Sequence, residues 1–155
     1  MRIWALVAVL VMMVCACSES TSELTQEDVV AVRATAFSVA CVEVLCPGAP
    51  ILAPDTLPDD VREAIRTGFS DEVEYVTEAS LEARTGDDGR FVDGAILISP
   101  AEPYQPNGSL VAVDVAFQKG YRDSVGRTYL FERDGDHWIS VSADTVDITV
   151  TSSVS

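Results

Sequence analysis

The stretch Leu110-Val-Ala-Val-Asp-Val-Ala-Phe-Gln118 decides the fold, because it has the two-residue period of a β-strand. Three valines and Phe117 occupy its odd-numbered positions, whereas Asp114 stands among Leu and Ala at the even-numbered positions. Alternation of this kind is typical of an antiparallel sheet with one buried face and one solvated face. The stretch therefore predicts a half-buried strand.

Other stretches have β-strand composition or the same alternation. The further predicted strands cover residues 51–52, 73–77, 95–99, 127–133, 137–142 and 145–151. In the last of these, Val146, Ile148 and Val150 would point inward and the polar residues outward. Loops are predicted where the chain is polar or rich in proline and glycine, at residues 78–90, 100–108 and 120–126. For residues 78–90 a ragged strand is the alternative.

Two helices are predicted before most of the strands. The first begins after Thr25, which can cap it, with Asp28 as the partner in a loose capping box. Its apolar residues recur at helical spacing, and it ends near residues 41–42. The second has Pro58 in its first turn and Gly68 at its end, the positions that these residues favour.

The element order predicts an α+β fold. Two N-terminal helices would pack on one face of a five- to six-stranded, mainly antiparallel sheet. The other face of that sheet would be in contact with water.

Residues 126–141 resemble the final hairpin of many small secreted bacterial proteins of unsettled function. Gly126, Tyr129, Arg133, Gly135 and Trp138 carry the resemblance, to a pattern that is roughly G-x-x-Y-x-L-x-R-x-x-G-x-W-x-V. Similar hairpins end cystatin-like and nuclear-transport-factor-like cone folds, so the resemblance implies such a fold. It supplies no catalytic residues, and the aromatic pair can stabilise the hairpin through cross-strand contact.

The first 16 residues differ from the rest of the chain in composition and charge. Arg2 is the only charge in residues 1–16, and residues 3–14 are all apolar. A positive charge, an apolar run of about 10–14 residues and then small residues are typical of a secretory signal peptide. The sequence predicts that residues 1–16 are removed on export.

Val14-Cys15-Ala16-Cys17 resembles the lipobox of bacterial lipoprotein signal peptides. The resemblance implies that the Cys17 sulfur receives a diacylglycerol and that Cys17 becomes the first residue of the mature chain. Two or more acyl chains hold a protein stably on a membrane. Residues 17–24 would then be a lipidated cysteine and flexible tether, and residues 25–155 a single domain. The alternative is an ordinary signal peptide with Cys17 incidental.

The charge of the chain excludes one class of partner. The net charge is −15 at pH 7, and loss of Arg2 with the signal peptide leaves −16. Such a surface repels nucleic acid phosphates and anionic lipid headgroups. We therefore expect no nucleic acid partner and no membrane contact beyond the lipid anchor. The remaining candidate partners are an envelope protein and a small ligand.

Two cysteines fall inside the predicted domain, Cys41 and Cys46. Cysteines exported from the cytoplasm normally oxidise, so we predict a structural disulfide between them. Their spacing differs from the C-x-x-C of redox sites. No catalytic residue, cofactor or metal is expected from the sequence.

Three further groups of residues are candidate sites. His137 is the only histidine, and a base formed with Asp134 or Asp136 is conceivable. Pairs of carboxylates could hold calcium, although no EF-hand pattern is present; these pairs are Asp87-Asp88, Asp134 with Asp136, and Asp59-Asp60. Aromatic side chains could line a pocket between sheet and helices; these are Tyr75, Phe117, Tyr121, Tyr129 and Trp138.

Two functions fit these features. The first is a lipid-anchored, non-catalytic envelope protein that acts as a binding module or assembly subunit. The alternative is a small-ligand-binding protein, or a carboxylate-dependent hydrolase or lyase, of a cone-like fold. The enzyme predicts that several of four side chains converge in one cavity, namely those of Asp93, Asp114, Glu132 and His137.

Overall fold

The computed structural model describes residues 23–44, 48–69 and 72–141 of the chain. These residues form three helices, α1 (Gln26–Val44), α2 (Asp59–Gly68) and α3 (Glu78–Arg84). They also form seven strands: β1 (Ile51–Pro54), β2 (Val73–Val76), β3 (Ile96–Pro100), β4 (Tyr104–Asn107), β5 (Leu110–Gly120), β6 (Asp123–Asp134) and β7 (His137–Ser140). The fold is α+β, as the sequence predicts.

All seven strands belong to one mixed sheet with the order β2-β1-β3-β5-β6-β7. β1 runs parallel to both β2 and β3, and the remaining pairs are antiparallel. β4 lies beside β5 on the same edge that β3 occupies further along. The prediction of a mainly antiparallel sheet is therefore confirmed, with two parallel pairs that it did not include.

One face of the sheet carries the main hydrophobic core. Val111, Val113 and Val115 of β5 point to this face, where they meet Phe37 of α1 and Phe131 of β6. We call it the helix face, because α1 and α2 pack on it. The odd-numbered face of the predicted strand at residues 110–118 is thus the buried one.

The opposite face is covered over only part of its width. Leu52 of β1 and Leu97 of β3 are buried there, together with Phe91 and partly buried Leu81 of α3. β1 and β3 therefore have buried side chains on both faces, while β2 has buried Val76 on this face and partly buried side chains on the helix face. We call these three strands the covered half. β4 to β7 form the open half, because no described helix packs on their second face.

The N-terminus of α1 has the predicted capping box. The Thr25 backbone N–H and hydroxyl both donate to Asp28 Oδ2, at 3.2 and 2.7 Å, and the Asp28 N–H donates to Thr25 Oγ1 at 3.1 Å. The helix continues to Val44, two residues beyond the predicted end. For α2, Pro58 is the N-cap residue and Gly68 is the last helical residue, close to the prediction.

Three predicted loops contain regular structure instead. Residues 78–90 include α3, which Thr77 caps by accepting a hydrogen bond from the Ser80 N–H at 3.1 Å. The proline-rich stretch 100–108 contains β4 at the edge of β5. Residues 120–126 hold a tight turn at Tyr121 and Arg122, and β6 already begins at Asp123. The predicted strand at 145–151 lies outside the described residues.

Gly120 allows the turn that follows α3 to lie against the end of β5. A Cβ at this position would stand 2.1 Å from the Gly89 carbonyl oxygen and 2.6 Å from the Arg90 Cα. The backbones are joined there by Tyr121 N–H to Gly89 O and by Phe91 N–H to Lys119 O, both at 2.9 Å. Only glycine fits this close approach.

Candidate functional site

The second face of the open half is a surface on which no described helix packs. Even-numbered residues of β5 and β6 and odd-numbered residues of β7 point to it, because cross-strand partners share a face. We call this surface the open face. It follows directly from the alternation of β5, in which Val113 and Val115 are buried while Asp114 is exposed.

An apolar row crosses the open face. Tyr104 of β4 lies opposite Ala112 of β5, and Ala112 lies opposite Leu130 of β6. The Val141 N–H donates to the Leu130 carbonyl at 2.8 Å, which places Val141 at the next position across. The row therefore spans four strands, about 15 Å at ordinary strand spacing. Tyr104 is 46% exposed, and nearby Ile139 is 41% exposed.

Acidic side chains flank the apolar row. Asp114 lies on one side of it, and Glu132 and Asp134 lie on the other, all exposed. No arginine or lysine occupies an open-face position in the described parts of β5, β6 and β7. Arg127 and Arg133 both point to the helix face instead. The open face therefore combines apolar contact area with negative charge.

The hairpin motif binds the N-terminal end of α1. Arg133 lies directly opposite Trp138 in the β6–β7 ladder, and its guanidinium stacks 5.6 Å from the Trp138 ring centroid. The same guanidinium is 3.2 Å from Asp28 Oδ1. The pKa of Asp28 is lowered, mainly because Thr25 donates hydrogen bonds to its carboxylate. Burial alone would raise this pKa, and the contacts with Arg133 and Trp138 lower it further.

Tyr129 of the same motif binds the other end of α1. Its hydroxyl donates to Glu43 Oε2 at 2.6 Å, and Arg127 donates to the same oxygen at 2.7 Å. Burial and the bond to Glu43 raise the pKa of Tyr129. The prediction of a cross-strand contact between Tyr129 and Trp138 is wrong, because Trp138 pairs with Arg133, four residues further along β6. The motif residues thus hold α1 on the sheet.

A buried arginine holds the middle of α1, and sequence reasoning missed it. Arg33 is 6% exposed, and it donates to Glu102 Oε1 at 2.6 Å and to the Pro100 carbonyl at 2.9 Å. These bonds tie α1 to the link between β3 and β4. The sequence offered one signal that Arg33 is buried. Arg33 directly follows Val32, and both belong to the stripe of α1 that faces the sheet.

The four side chains proposed for carboxylate chemistry do not share a cavity. Asp93 binds Arg84, whose guanidinium also binds Glu74 on β2, at the edge of the sheet away from β6 and β7. Asp114 accepts a hydrogen bond from Thr128 at 2.5 Å. Glu132 and His137 are exposed at separate positions on the hairpin, opposite Ile139 and Asp134. Asp114, Glu132 and His137 share the open face but stand on three different strands, and Asp93 lies apart from them.

The aromatic side chains proposed to line a pocket lie in the core, against it or on a turn. Phe117 and Tyr129 are buried in the core on the helix face, and Tyr75 and Trp138 pack against it. Tyr121 is exposed on a turn. A cavity of about 410 Å³ does exist at the start of the parallel strands, but its described lining is Pro50, Ile51, Glu72 and Glu74. The proposed aromatic pocket is therefore wrong.

In two of the three carboxylate pairs proposed for calcium, the carboxylates already bind groups of this chain. Asp88 accepts from the Arg90 N–H at 3.0 Å, and Asp60 accepts from the Val61 N–H at 2.8 Å. Asp59 is paired with Arg62. Across residues 23–44, 48–69 and 72–141, no three His, Cys, Asp or Glu side chains are grouped as metal ligands would be.

The predicted lipidation and disulfide sites fall largely outside the described residues. Cys17 and the signal peptide lie before residue 23, so both stay predictions. Cys41 is buried near the end of α1, whereas Cys46 lies outside the described residues. The Cys41–Cys46 disulfide therefore also stays a prediction. Within the described part of the chain, no helix is long and apolar enough to cross a membrane.

No family model matches this chain, and neither the curated proteins nor the solved structures include one that is detectably similar. The resemblance to cystatin-like and cone folds and to small secreted proteins therefore stays a prediction. The fold and the chemistry of its surfaces are what any functional argument has to use.

Proposed function

We propose that the protein is a lipid-anchored, non-catalytic envelope protein that acts as a binding module or assembly subunit. The lipobox Val14-Cys15-Ala16-Cys17 carries this proposal, because it supplies both export and a membrane anchor. The polar residues 18–23 after Cys17 suit a flexible tether. Partly buried Leu24 packs on the core, so the tether meets the domain close to α1.

Metabolic labelling with an alkyne fatty acid in a bacterial host tests the anchor. The wild-type protein should take up the label and stay with membranes, whereas Cys17→Ser should do neither. Cys15→Ser is the matched control, and it should be labelled like wild type. An unlabelled wild type, or equal labelling of the Cys17→Ser variant, would contradict lipidation at Cys17.

The binding surface in this proposal is the open face. Tyr104 at one end of the apolar row and nearby Ile139 keep about half of their surface exposed, and exposed apolar surface commonly marks an interaction site. Asp114, Glu132 and Asp134 around the row favour a partner of positive charge. The partner is therefore a basic envelope protein that carries apolar side chains at its contact surface. The net charge of the chain without residues 1–16, which is −16, would attract such a partner over a longer range.

Photocrosslinking in the native host tests the surface. A photoreactive amino acid at position 139 reports on the open face, and one at position 92 is the control. Val92 is 75% exposed, more than Ile139, but it lies in the loop after α3 over the covered half. We expect a defined adduct with a basic protein from position 139 alone. Equal adducts from both positions, none from position 139, or an acidic partner would contradict the proposal.

A further inference from the structure

One extra residue separates β3 from β4, which follow one another along the same edge of β5. The Ala101 N–H donates to the Asp114 carbonyl at 2.8 Å, one step beyond the last pair of β3 with β5. The ladder resumes where Tyr104 lies opposite Ala112. The chain therefore advances three residues from Ala101 to Tyr104 while β5 advances only two, which is the count of a β-bulge.

This bulge decides which side chain reaches the open face at the edge of β5. In an uninterrupted strand, Pro103 would lie opposite Ala112, and Tyr104 would point to the helix face. The extra residue places Tyr104 opposite Ala112 instead, so that Tyr104 shares the open face. The register shifts again between Tyr104 and Asn107, so Tyr104 stands between two irregularities. Bulges commonly re-aim a side chain beside a functional site.

Arg33 of α1 binds the chain on both sides of Ala101. Its Nη1 donates to Glu102 Oε1 at 2.6 Å, and its Nη2 donates to the Pro100 carbonyl at 2.9 Å. Because the Ala101 N–H points to β5, the Pro100 carbonyl points away from β5, and Arg33 supplies its partner. The Arg33 side chain is 7% exposed and that of Glu102 is 71% exposed. The buried arginine is therefore the fixed end of this contact.

Burial of a charge has to be offset by its partners. An apolar residue at position 33 would pack on the same stripe of α1 without the loss of hydration that a guanidinium suffers. The two bonds to the bulge are what Arg33 adds. We infer that Arg33 is a positioning residue for the open face, because it holds the bulge that presents Tyr104 to the partner. This inference rests on the proposed function, in which the open face is the binding surface.

NMR on the full chain tests the placement of Tyr104 without a partner. In wild type the Tyr104 ring should show a nuclear Overhauser contact with the Ala112 methyl group, because directly opposed side chains lie about 5 Å apart. Glu102→Ala removes one of the two bonds to the bulge, and it should weaken this contact about threefold. Glu63→Ala is the matched control, since it removes another exposed carboxylate that is paired with an arginine. It should leave the contact unchanged.

A double-mutant cycle tests whether Arg33 affects binding through Tyr104. The adduct yield from a photoreactive residue at position 139 should fall about fivefold in Arg33→Met and about fivefold in Tyr104→Ser. The variant with both substitutions should lose no more than Tyr104→Ser alone, because the arginine acts through the tyrosine. The same cycle with Glu102→Ala decides if Arg33→Met does not fold, since Glu102 is largely exposed.

Three outcomes would count against this account. A contact between Tyr104 and Ala112 that is equal in wild type, Arg33→Met and Glu102→Ala would overturn the inference. Additive losses in the cycles would also overturn it, because the arginine or the glutamate would then act without Tyr104. Absence of an adduct from position 139 in wild type would contradict the proposed function and the role in binding, while the NMR contact would still decide whether Arg33 places Tyr104.

Discussion

The covered half and the open half of the sheet differ in what packs on the face opposite α1. In the covered half, Leu52 and Leu97 are buried on the face opposite α1, beneath α3 and the loop that follows it. In the open half, the same face carries exposed Asp114 and Thr128 and the apolar row. The sequences record this difference, since Ile51-Leu52-Ala53 is continuously apolar and β5 alternates.

The difference separates residues that maintain the fold from residues that are free to bind. Side chains between two layers lose contacts on every side when truncated, whereas side chains on the open face lose few. The open half is nevertheless firmly joined to the helices, through Asp28 and Glu43 near the two ends of α1. We call these two contacts between α1 and β6 the clamp. Substitutions can therefore test the two halves and the clamp separately.

The largest effect is expected in the covered half. Leu52 is fully buried, so Leu52→Ala should lower the free energy of unfolding by about 3 kcal/mol. Leu130→Ala is the matched change on the same side of the open half, where the side chain is only partly buried, and it should cost about 1 kcal/mol. Urea unfolding of both variants measures the difference. Equal losses would remove the distinction between the two halves.

A smaller effect is expected at the first end of the clamp. Asp28→Ala removes the capping box and the contact with Arg133, which should cost about 1.5 kcal/mol near neutral pH. Because the pKa of Asp28 is lowered in the folded protein, its contribution is complete above the ordinary carboxyl pKa. That contribution is lost as pH falls through the lowered value.

Urea unfolding between pH 7 and pH 2 follows this dependence. The difference between wild type and Asp28→Ala should shrink as the pH falls. Glu27→Ala, an exposed acid in the same first turn, should differ little from wild type over the whole range. A difference that is independent of pH would show that Asp28 acts through packing alone.

The other end of the clamp should contribute about 1 kcal/mol. Tyr129→Phe removes the hydroxyl that donates to Glu43 while keeping the ring in the core. The raised pKa of Tyr129 means that its contribution is complete below about pH 10 and is lost as pH rises through the folded value. Unfolding curves at pH 8 and pH 10.5 measure this loss. Tyr104→Phe, on the open face, should show neither effect.

The smallest effect on stability is expected on the open face. The double substitution Tyr104→Ser with Ile139→Ser removes two half-exposed side chains. We expect the free energy of unfolding to change by no more than about 0.5 kcal/mol. Thermal and urea unfolding check this, and a loss as large as that of Leu52→Ala would mean that the open face is part of the core.

The elements that alternate or repeat strongly could be predicted from the sequence. The central strand, the hairpin and the capping box of α1 are examples, because periodicity and local hydrogen bonding determine them. The helix α3 was missed because its seven residues have only Leu81 as a large apolar side chain. Its N-cap at Thr77 was the available signal.

The remaining elements could not be predicted because they depend on contacts between residues that are distant in the sequence. β4 was missed because Pro103 and Pro106 flank and interrupt it, and its pairing depends on the edge of β5. Parallel pairing of β1 depends on how α2 returns the chain, which local patterns do not encode. The open face could be inferred only in part, since alternation identifies its residues but not what covers them.

The central claim is that the covered half provides stability and the open face provides binding. One pair of variants, each assayed in two ways, tests it most directly. Leu52→Ala and the double substitution at Tyr104 and Ile139 are compared in unfolding free energy and in photocrosslink yield from position 137 on the open face. The account predicts opposite results: Leu52→Ala loses about 3 kcal/mol and keeps the adduct at temperatures where it is folded, while the double variant keeps its stability and loses the adduct. Retention of the adduct by the double variant would contradict it.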